Sequence, residues 1–331
     1  MNASLLSIRH LTTEFTLQQR GARPRVARAL EDVSFDVMPG QTVGLVGESG
    51  CGKTTTLMAA LRLLPANGQI TRGQVRYKGT DLLALSEPEM RAYRWKEIAI
   101  VFQGAMNALN PVMQIGDQIS EAILLHNLMD REKAEARVIE LLELVGIPRS
   151  RRDQYPHQYS GGMRQRAMIA MALACKPPLL FADEPTTALD VMIQAQVLEL
   201  LRHIQKTLDL SIVLVTHDLG VVAEVCDSVV VMYGGKVAES GTADEVYNHA
   251  QHPYTQRLLA SFPNINEPRE RLASIPGTPP RLTELPQGCR FAPRCEVKLP
   301  ECTRVDPPVT EPTPGHFVAC LLCDGKAAEF A

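Results

Sequence analysis

The chain has 331 residues, 45% hydrophobic and 21% charged, with 34 basic and 37 acidic side chains and a formal charge of −3. Its composition is globular, its length allows one large core plus a smaller unit, and its charge gives no electrostatic ground for binding nucleic acid. No apolar run approaches the ~18 residues of a membrane span, and residues 1–6 lack the basic start of a signal peptide, so a soluble cytoplasmic protein is expected.

Residues 4 to 37 read as antiparallel strand material. Leu6 and Ile8, then after a shift Phe15 and Leu17, alternate with polar residues, and Leu30, Val33, Phe35 and Val37 mark a second strand. Arg20-Gly21-Ala22-Arg23-Pro24-Arg25 is a basic loop between them. The apolar run 42–46 leads into Gly47-Glu48-Ser49-Gly50-Cys51-Gly52-Lys53-Thr54, and a helix-like segment follows from Thr55 to Leu64. Strand, glycine-rich turn and helix in the spacing G-x-x-x-x-G-K-T suit a nucleotide triphosphate. Glycines let backbone N–H groups converge on phosphate oxygens, and the helix start adds partial positive charge. Lys53 can reach the β- and γ-phosphates and Thr54 can ligate Mg²⁺. The candidate ATP-binding residues run from Gly47 to Thr55.

A short strand is expected from Gly73 to Gly79. Ser86-Glu87-Pro88-Glu89 is a capping box opening a helix to about Lys96, and residues 98–103 form a buried strand ending in Gln103. Residues 104–176 read as a helical insert, with helices from Ile115 to Asn127 and from Asp130 to Val145. Asn107, Asn110 and Pro111 make its entry irregular. Tyr159-Ser160-Gly161-Gly162-Met163-Arg164-Gln165 begins another helix, reaching about Ala174. Residues 179–184 form an apolar strand ending in Asp183 and Glu184. Val191 to Leu208 is a long amphipathic helix, residues 211–217 a strand ending in His217, and 228–233 with 236–239 a hairpin around Gly234-Gly235.

Buried strands alternating with helices argue for an α/β core with a mostly parallel sheet. Ligands in such sheets collect at strand carboxyl ends, where Gln103, Asp183, Glu184 and His217 all fall. Asp183 fits a carboxylate holding Mg²⁺ with Thr54, and Glu184 is placed to polarise an attacking water. Gln103 and His217 can orient the γ-phosphate. Seen alone, an Asp-Glu pair is a cap or a solvated turn and a strand-end His or Gln is an ordinary polar residue. A phosphate loop in the same chain makes the functional reading the stronger one.

In order, the phosphate loop, Gln103, the segment 159–165, Asp183-Glu184, Ala188-Leu189-Asp190 and His217 resemble the ATP-binding subunits of ABC transporters. Ser160-Gly161-Gly162-Met163-Arg164-Gln165 looks like that family's signature. The resemblance implies a P-loop NTPase core with an antiparallel β subdomain and a helical insert. It implies two such domains paired head to tail, each ATP held between one chain's loop and the signature residues Ser160, Gly161, Gly162 and Gln165 of the other, with Asp190 linking the sites. Gln103 joins Thr54 and Asp183 as a Mg²⁺ ligand on this resemblance.

Phe102-Gln103-Gly104-Ala105-Met106-Asn107-Ala108-Leu109-Asn110-Pro111 and His252-Pro253-Tyr254-Thr255 resemble the branch serving dipeptide, oligopeptide and nickel uptake. An ATPase subunit of an importer is implied, at the cytoplasmic face of the membrane. Its partners would be a second ABC ATPase subunit, two membrane permease subunits and an extracytoplasmic solute-binding protein. A paralogous partner is favoured, and a homodimer stays open because both half-sites are intact. Where the family places an aromatic residue for adenine, Val26, Ala27 and Arg28 stand here. The rivals are a soluble mechanical or nucleic-acid ATPase of the same superfamily, and an iron–sulfur redox sensor. The short interval between residues 47 and 160 and the single cassette speak against the first.

The domains expected are an ATP-binding domain over 1–252, with its helical part at about 104–176, and an irregular, cysteine-rich extension over 253–331. From Pro253 onward lie 13 of the 23 prolines, so few regular elements are expected there. Cys289, Cys295, Cys302, Cys320 and Cys323 crowd into it. Oxidised pairs, free thiols and a zinc site are open readings. Gly288-Cys289-Arg290-Phe291-Ala292-Pro293-Arg294-Cys295, with Cys302 and Cys320, resembles a loop that carries a [4Fe–4S] cluster in some members of the branch. Cys323 is then spare, and Arg290, Arg294 and Arg304 are placed to offset the cluster's charge.

Overall fold

The structure is a computed structural model that describes residues 3–18, 24–104, 108–187, 189–261, 275–323 and 326–327. The basic-loop residues 19–23, the segment Ala105-Met106-Asn107 and Ala188 lie outside the described residues. The chain divides into two compact units, one of Met1–Met38, Val43–Leu83 and Thr216–Ala331, the other of Pro39–Thr42 and Ala84–Val215.

The first unit holds two sheets. One is antiparallel, in the order β2-β1-β4-β5, with β1 at Leu6–Leu17, β2 at Arg25–Val37, β4 at Gly68–Tyr77 and β5 at Thr80–Asp81. The shift in alternation seen in sequence is a pair of bulges. His10 and Asp32 have φ of +52° and +57°, and the His10 Nδ1 lies 2.7 Å from Asp32 Oδ1. The bulge at His10 adds one residue to β1, so Leu6, Ile8, Leu11 and Thr13 all stay buried, and the one at Asp32 adds one to β2. The strand expected to begin at Gly73 starts at Gly68 instead. Gly73 lies inside it, facing the β1 bulge at His10 and Leu11, at φ +110°, and a Cβ there would meet Leu11 Cα at 2.6 Å.

The second sheet of this unit runs β13-β11-β12-β10-β9-β3. β3 (Thr42–Val46) is parallel to β9 (Ser228–Tyr233), as expected for the core. β10 (Lys236–Thr242) turns back on β9 through Gly234 and Gly235, both at positive φ. The proline-rich tail then adds β12 (His316–Val318), β11 (Thr310–Thr313) and β13 (Lys326–Ala327), all antiparallel. The extension is thus more regular than its prolines suggest, because β10 offers it an edge to pair with. Helix α1 spans Lys53–Ala60, starting two residues before the expected Thr55. Short helices Leu219–Val225 and Ala243–Asn248 were not expected; helix Pro253–Ala260 follows them.

The second unit holds three parallel strands in the order β8-β7-β6, namely Ser211–Thr216, Leu179–Asp183 and Ile98–Val101. Helix α2 (Glu87–Tyr93) opens on the expected capping box, Ser86 N–H donating to Glu89 Oε2 at 2.7 Å. The insert is helical as expected. Its α3 (Ile115–Leu125), α4 (Arg131–Leu144) and α5 (Gly161–Ala172) pack together through Ile115, Ile119, Ile123, Val138, Leu141 and Ile169, all 0–1% exposed. Asp130 caps α4 by accepting from Lys133 N–H at 2.9 Å. Helix α6 is Val191–Leu208.

Candidate functional site

The phosphate loop lies in the first unit between β3 and α1. Gly47, Gly50 and Gly52 have φ of +144°, +79° and +110°, a backbone path that side chains resist. A Cβ at Gly47 would sit 2.2 Å from Met232 O, and one at Gly52 2.6 Å from Leu30 Cδ2. Gly47→Ala is therefore expected to cost at least about 2 kcal/mol of stability and to weaken nucleotide binding. An unchanged melting temperature would show that the turn relaxes freely.

Lys53 is only 5% exposed. Its Nζ donates to Gly47 O at 2.7 Å and Glu48 O at 3.2 Å, so the ammonium is curled inside its own loop. Thr54 and Ser49 are exposed at the loop and helix start, and Thr55 is half-buried. Cys51 is buried, which pushes its thiol pKa up against the nearby Lys53 charge. The hairpin turn supports the loop, Gly235 N–H donating to Cys51 O at 2.9 Å. His217 is exposed directly after β8.

Residues from the distant C-terminal part also grip this loop, which local sequence patterns do not signal. Arg294 donates to both carboxylate oxygens of Glu48, at 2.6 and 3.0 Å, and Glu48 N–H donates to Tyr254 Oη at 2.9 Å. The separations are 246 and 206 residues, beyond any periodicity.

In the second unit, Asp183 ends β7 and is 1% exposed. Glu184 follows in the left-handed region at φ +45°, held by its N–H on Val215 O at 3.0 Å. A non-glycine residue kept there marks a site where the fold overrides local preference. Gln103 Nε2 and Thr187 Oγ1 donate to Glu184 Oε2 at 2.7 and 2.8 Å. The structure thus joins two of the residues picked from sequence and adds Thr187.

The signature segment opens α5 as expected. Ser160 is its exposed N-cap, its Oγ accepting from Met163 N–H at 3.3 Å. Gly162 allows α6 to come close, since a Cβ there would meet Ile193 Cγ2 at 2.8 Å. Asp190 caps α6, its Oδ1 accepting from Ile193 N–H at 3.0 Å. The signature and Asp190 therefore meet at Ile193. Gln165 is 4% exposed, and its Nε2 is buried without a hydrogen-bond partner.

Comparison with known proteins agrees with this arrangement. The ABC transporter family matches residues 30–187, and the family described as oligopeptide/dipeptide transporter, C-terminal region, matches residues 238–302. The dipeptide transport ATP-binding protein DppD of Bacillus subtilis (strain 168) is 48% identical over 98% of this chain and 96% of its own. This chain belongs to the ATP-binding subunits of ABC transporters. The oligopeptide transport ATP-binding protein OppD of the same strain is 49% identical over 89% of this chain and 84% of its own. An ATP-binding cassette solved as a dimer in a post-hydrolysis state with ADP and Pi superposes with a TM-score of 0.63, at 26% identity, over 72% of this chain and 98% of its own.

As an ABC subunit the chain carries five of its eight cysteines in an extension packed within the first unit. Cys289, Cys295, Cys302 and Cys320 line one small cavity with Phe291, Ala292 and His252. Among the described residues, no three His, Cys, Asp or Glu side chains converge tightly enough to hold a single metal ion. Burial pushes the Cys289 thiol up to about 11, whereas a hydrogen bond with the Cys323 side chain brings Cys320 down to about 7. Cys323 is thus a neighbour of Cys320. Two of the arginines expected to offset a cluster's charge face elsewhere. Arg290 pairs with Glu31 and Gly234 O, and Arg294 with Glu48. Both are buried, and a buried guanidinium needs the nearest carboxylate.

Among the described residues no helix is long and apolar enough to cross a membrane.

Proposed function

We propose that this chain is the ATP-hydrolysing subunit of an importer of di- and oligopeptides, or of a related small solute such as nickel. It would sit at the cytoplasmic face of the membrane, with two permease subunits, a second ATPase subunit (a paralogue by preference) and an extracytoplasmic solute-binding protein. One observation carries the reading: a lysine-bearing phosphate loop and a serine-glycine helix start occur in one chain whose C-terminal part matches the peptide-transport family.

The roles follow from the chemistry. The N–H groups of residues 47–55, apart from that of Glu48 held by Tyr254, and the Lys53 ammonium take the β- and γ-phosphates. Thr54, Gln103 and Asp183 offer an all-oxygen donor set that fits Mg²⁺, which supplies charge neutralisation between phosphates. Glu184 orients water, with His217 and Gln103 at the γ-phosphate. Ser160, Gly161, Gly162 and Gln165 form a second anion site that serves the partner's nucleotide, and Asp190 connects the two. Closure on ATP and opening after hydrolysis drive the permeases.

Lys53→Ala is expected to raise the Kd for ATP about 10- to 100-fold, the loss of one or two charge-assisted hydrogen bonds. Equilibrium binding at the wild-type Kd would count against the loop assignment. For the whole function, the chain should co-purify from membranes with two multi-span polypeptides. Reconstituted with their solute-binding protein, its ATP hydrolysis should rise with small peptides. Stimulation by nickel alone would move the substrate, and no membrane partner would overturn the transport reading.

The same reading places a [4Fe–4S] cluster on Cys289, Cys295, Cys302 and Cys320, with zinc as the rival. Four thiols lining one cavity are the ligand number that either a [4Fe–4S] cluster or Zn²⁺ requires. When bound, such a group supplies a rigid cross-link for an otherwise irregular segment. Anaerobically purified protein should contain iron and sulfide in equal amounts; zinc without sulfide would overturn the assignment.

A further inference from the structure

The first turn of the phosphate loop is tied on two sides. Glu48 O, with Gly47 O, accepts from Lys53 Nζ. The other two polar groups of Glu48 belong to the C-terminal part. Its carboxylate takes the Arg294 fork at 2.6 and 3.0 Å, and its N–H donates to Tyr254 Oη at 2.9 Å. We propose that Arg294, supported by Tyr254, is a positioning residue of the nucleotide site, acting through Glu48 to hold the loop in the form that receives the triphosphate. The proposal rests on the reading that this loop binds ATP.

Arg294 is built for the task. It is 8% exposed. Its Nε donates to Pro276 O at 2.7 Å, Nη2 to Ile275 O at 3.3 Å and Nη1 to Tyr233 Oη at 3.2 Å. The guanidinium lies 5.7 Å from the Tyr233 ring centroid. Tyr233, Tyr254 and Phe291 form one aromatic cluster, with centroids 4.6, 5.2 and 5.4 Å apart. Exposed ion pairs hold little, because two mobile side chains must be ordered. Here every donor of the fork is already fixed, so the carboxylate meets a rigid partner. Removing Arg294 frees Glu48, and the loop must then be ordered by the nucleotide itself. That cost falls on binding and leaves the chemical step alone.

The test measures the Kd for a non-hydrolysable ATP analogue, and KM and kcat for ATP, in the full chain. Arg294→Gln should raise Kd and KM roughly tenfold, the value of one charge-assisted hydrogen bond, with kcat within about twofold. Arg294→Lys should recover part of the loss. Glu48→Gln combined with Arg294→Gln should be no worse than the weaker-binding single variant, because both remove one contact. Tyr254→Phe, which keeps the ring in its cluster, should raise Kd by a smaller factor. Should Arg294→Gln fail to fold, Glu48→Gln and Tyr254→Phe decide. Wild-type Kd in folded variants, or additive effects in the double variant, would overturn the proposal. A wild-type chain that does not bind the analogue would overturn the ATP reading itself.

Discussion

Glu184→Gln is expected to leave ATP binding intact and to slow hydrolysis by roughly 10²- to 10⁴-fold, the range of a lost general base. That range corresponds to about 3–5 kcal/mol in the barrier. The glutamine is isosteric, and its Oε1 still accepts from Thr187 Oγ1 or Gln103 Nε2, which hold the native carboxylate at 2.8 and 2.7 Å. The backbone at φ +45° is fixed by Glu184 N–H on Val215 O and does not depend on the charge. What disappears is the negative oxygen that polarises water. Nucleotide should accumulate unhydrolysed and the paired state should become long-lived, visible as a stable dimer on size exclusion with ATP. Hydrolysis at the wild-type rate would remove Glu184 from the mechanism.

Glu239→Ala should lower stability by about 3–5 kcal/mol, the cost of taking a buried acceptor away from several hydrogen-bond partners at once. Glu239 is 0% exposed on β10. Its Oε1 accepts from Gln251 N–H at 2.7 Å and lies 2.8 Å from Nε2 of His316, which is 1% exposed; its Oε2 accepts from His252 N–H at 3.1 Å. Alanine takes this acceptor from the Gln251 and His252 N–H groups and from the buried His316 ring, each worth about 1–3 kcal/mol in lost solvation where it stays buried. The carboxylate joins β10, β12 and the start of helix Pro253–Ala260, so the extension should loosen first. The urea midpoint should fall, and trypsin should cut within the extension well before the rest. A midpoint shifted by less than about 1 kcal/mol would mean that water replaces the carboxylate at no cost.

The readings that succeeded from sequence rest on short range. The phosphate loop needs glycines, a lysine and a helix start within eight residues, and the structure keeps all of them in one turn. The Ser86–Glu89 capping box forms because its two residues lie three apart at a helix start, so the side chain and backbone close the ring locally. Gln103 and Glu184 meet because adjacent parallel strands end together. The misses have equally physical causes. Gly73 looks like a strand boundary, yet it lies within β4 facing the β1 bulge, and its need is set by Leu11, more than sixty positions earlier. Helices Leu219–Val225 and Ala243–Asn248 are about two turns long and show too little periodicity to be read.

The amino-acid order alone determined the glycine-rich loop before α1, the capping box and the strand-end carboxylates, since each depends on neighbours a few bonds apart. Only the tertiary structure decided what the C-terminal segment does. Prolines predict an irregular tail, but the free edge of β10 recruits its strands, and burial compels Arg290 and Arg294 each to find a carboxylate and Glu239 to find hydrogen-bond partners. Such partners are selected by burial and distance in space, quantities that no local pattern of residues encodes.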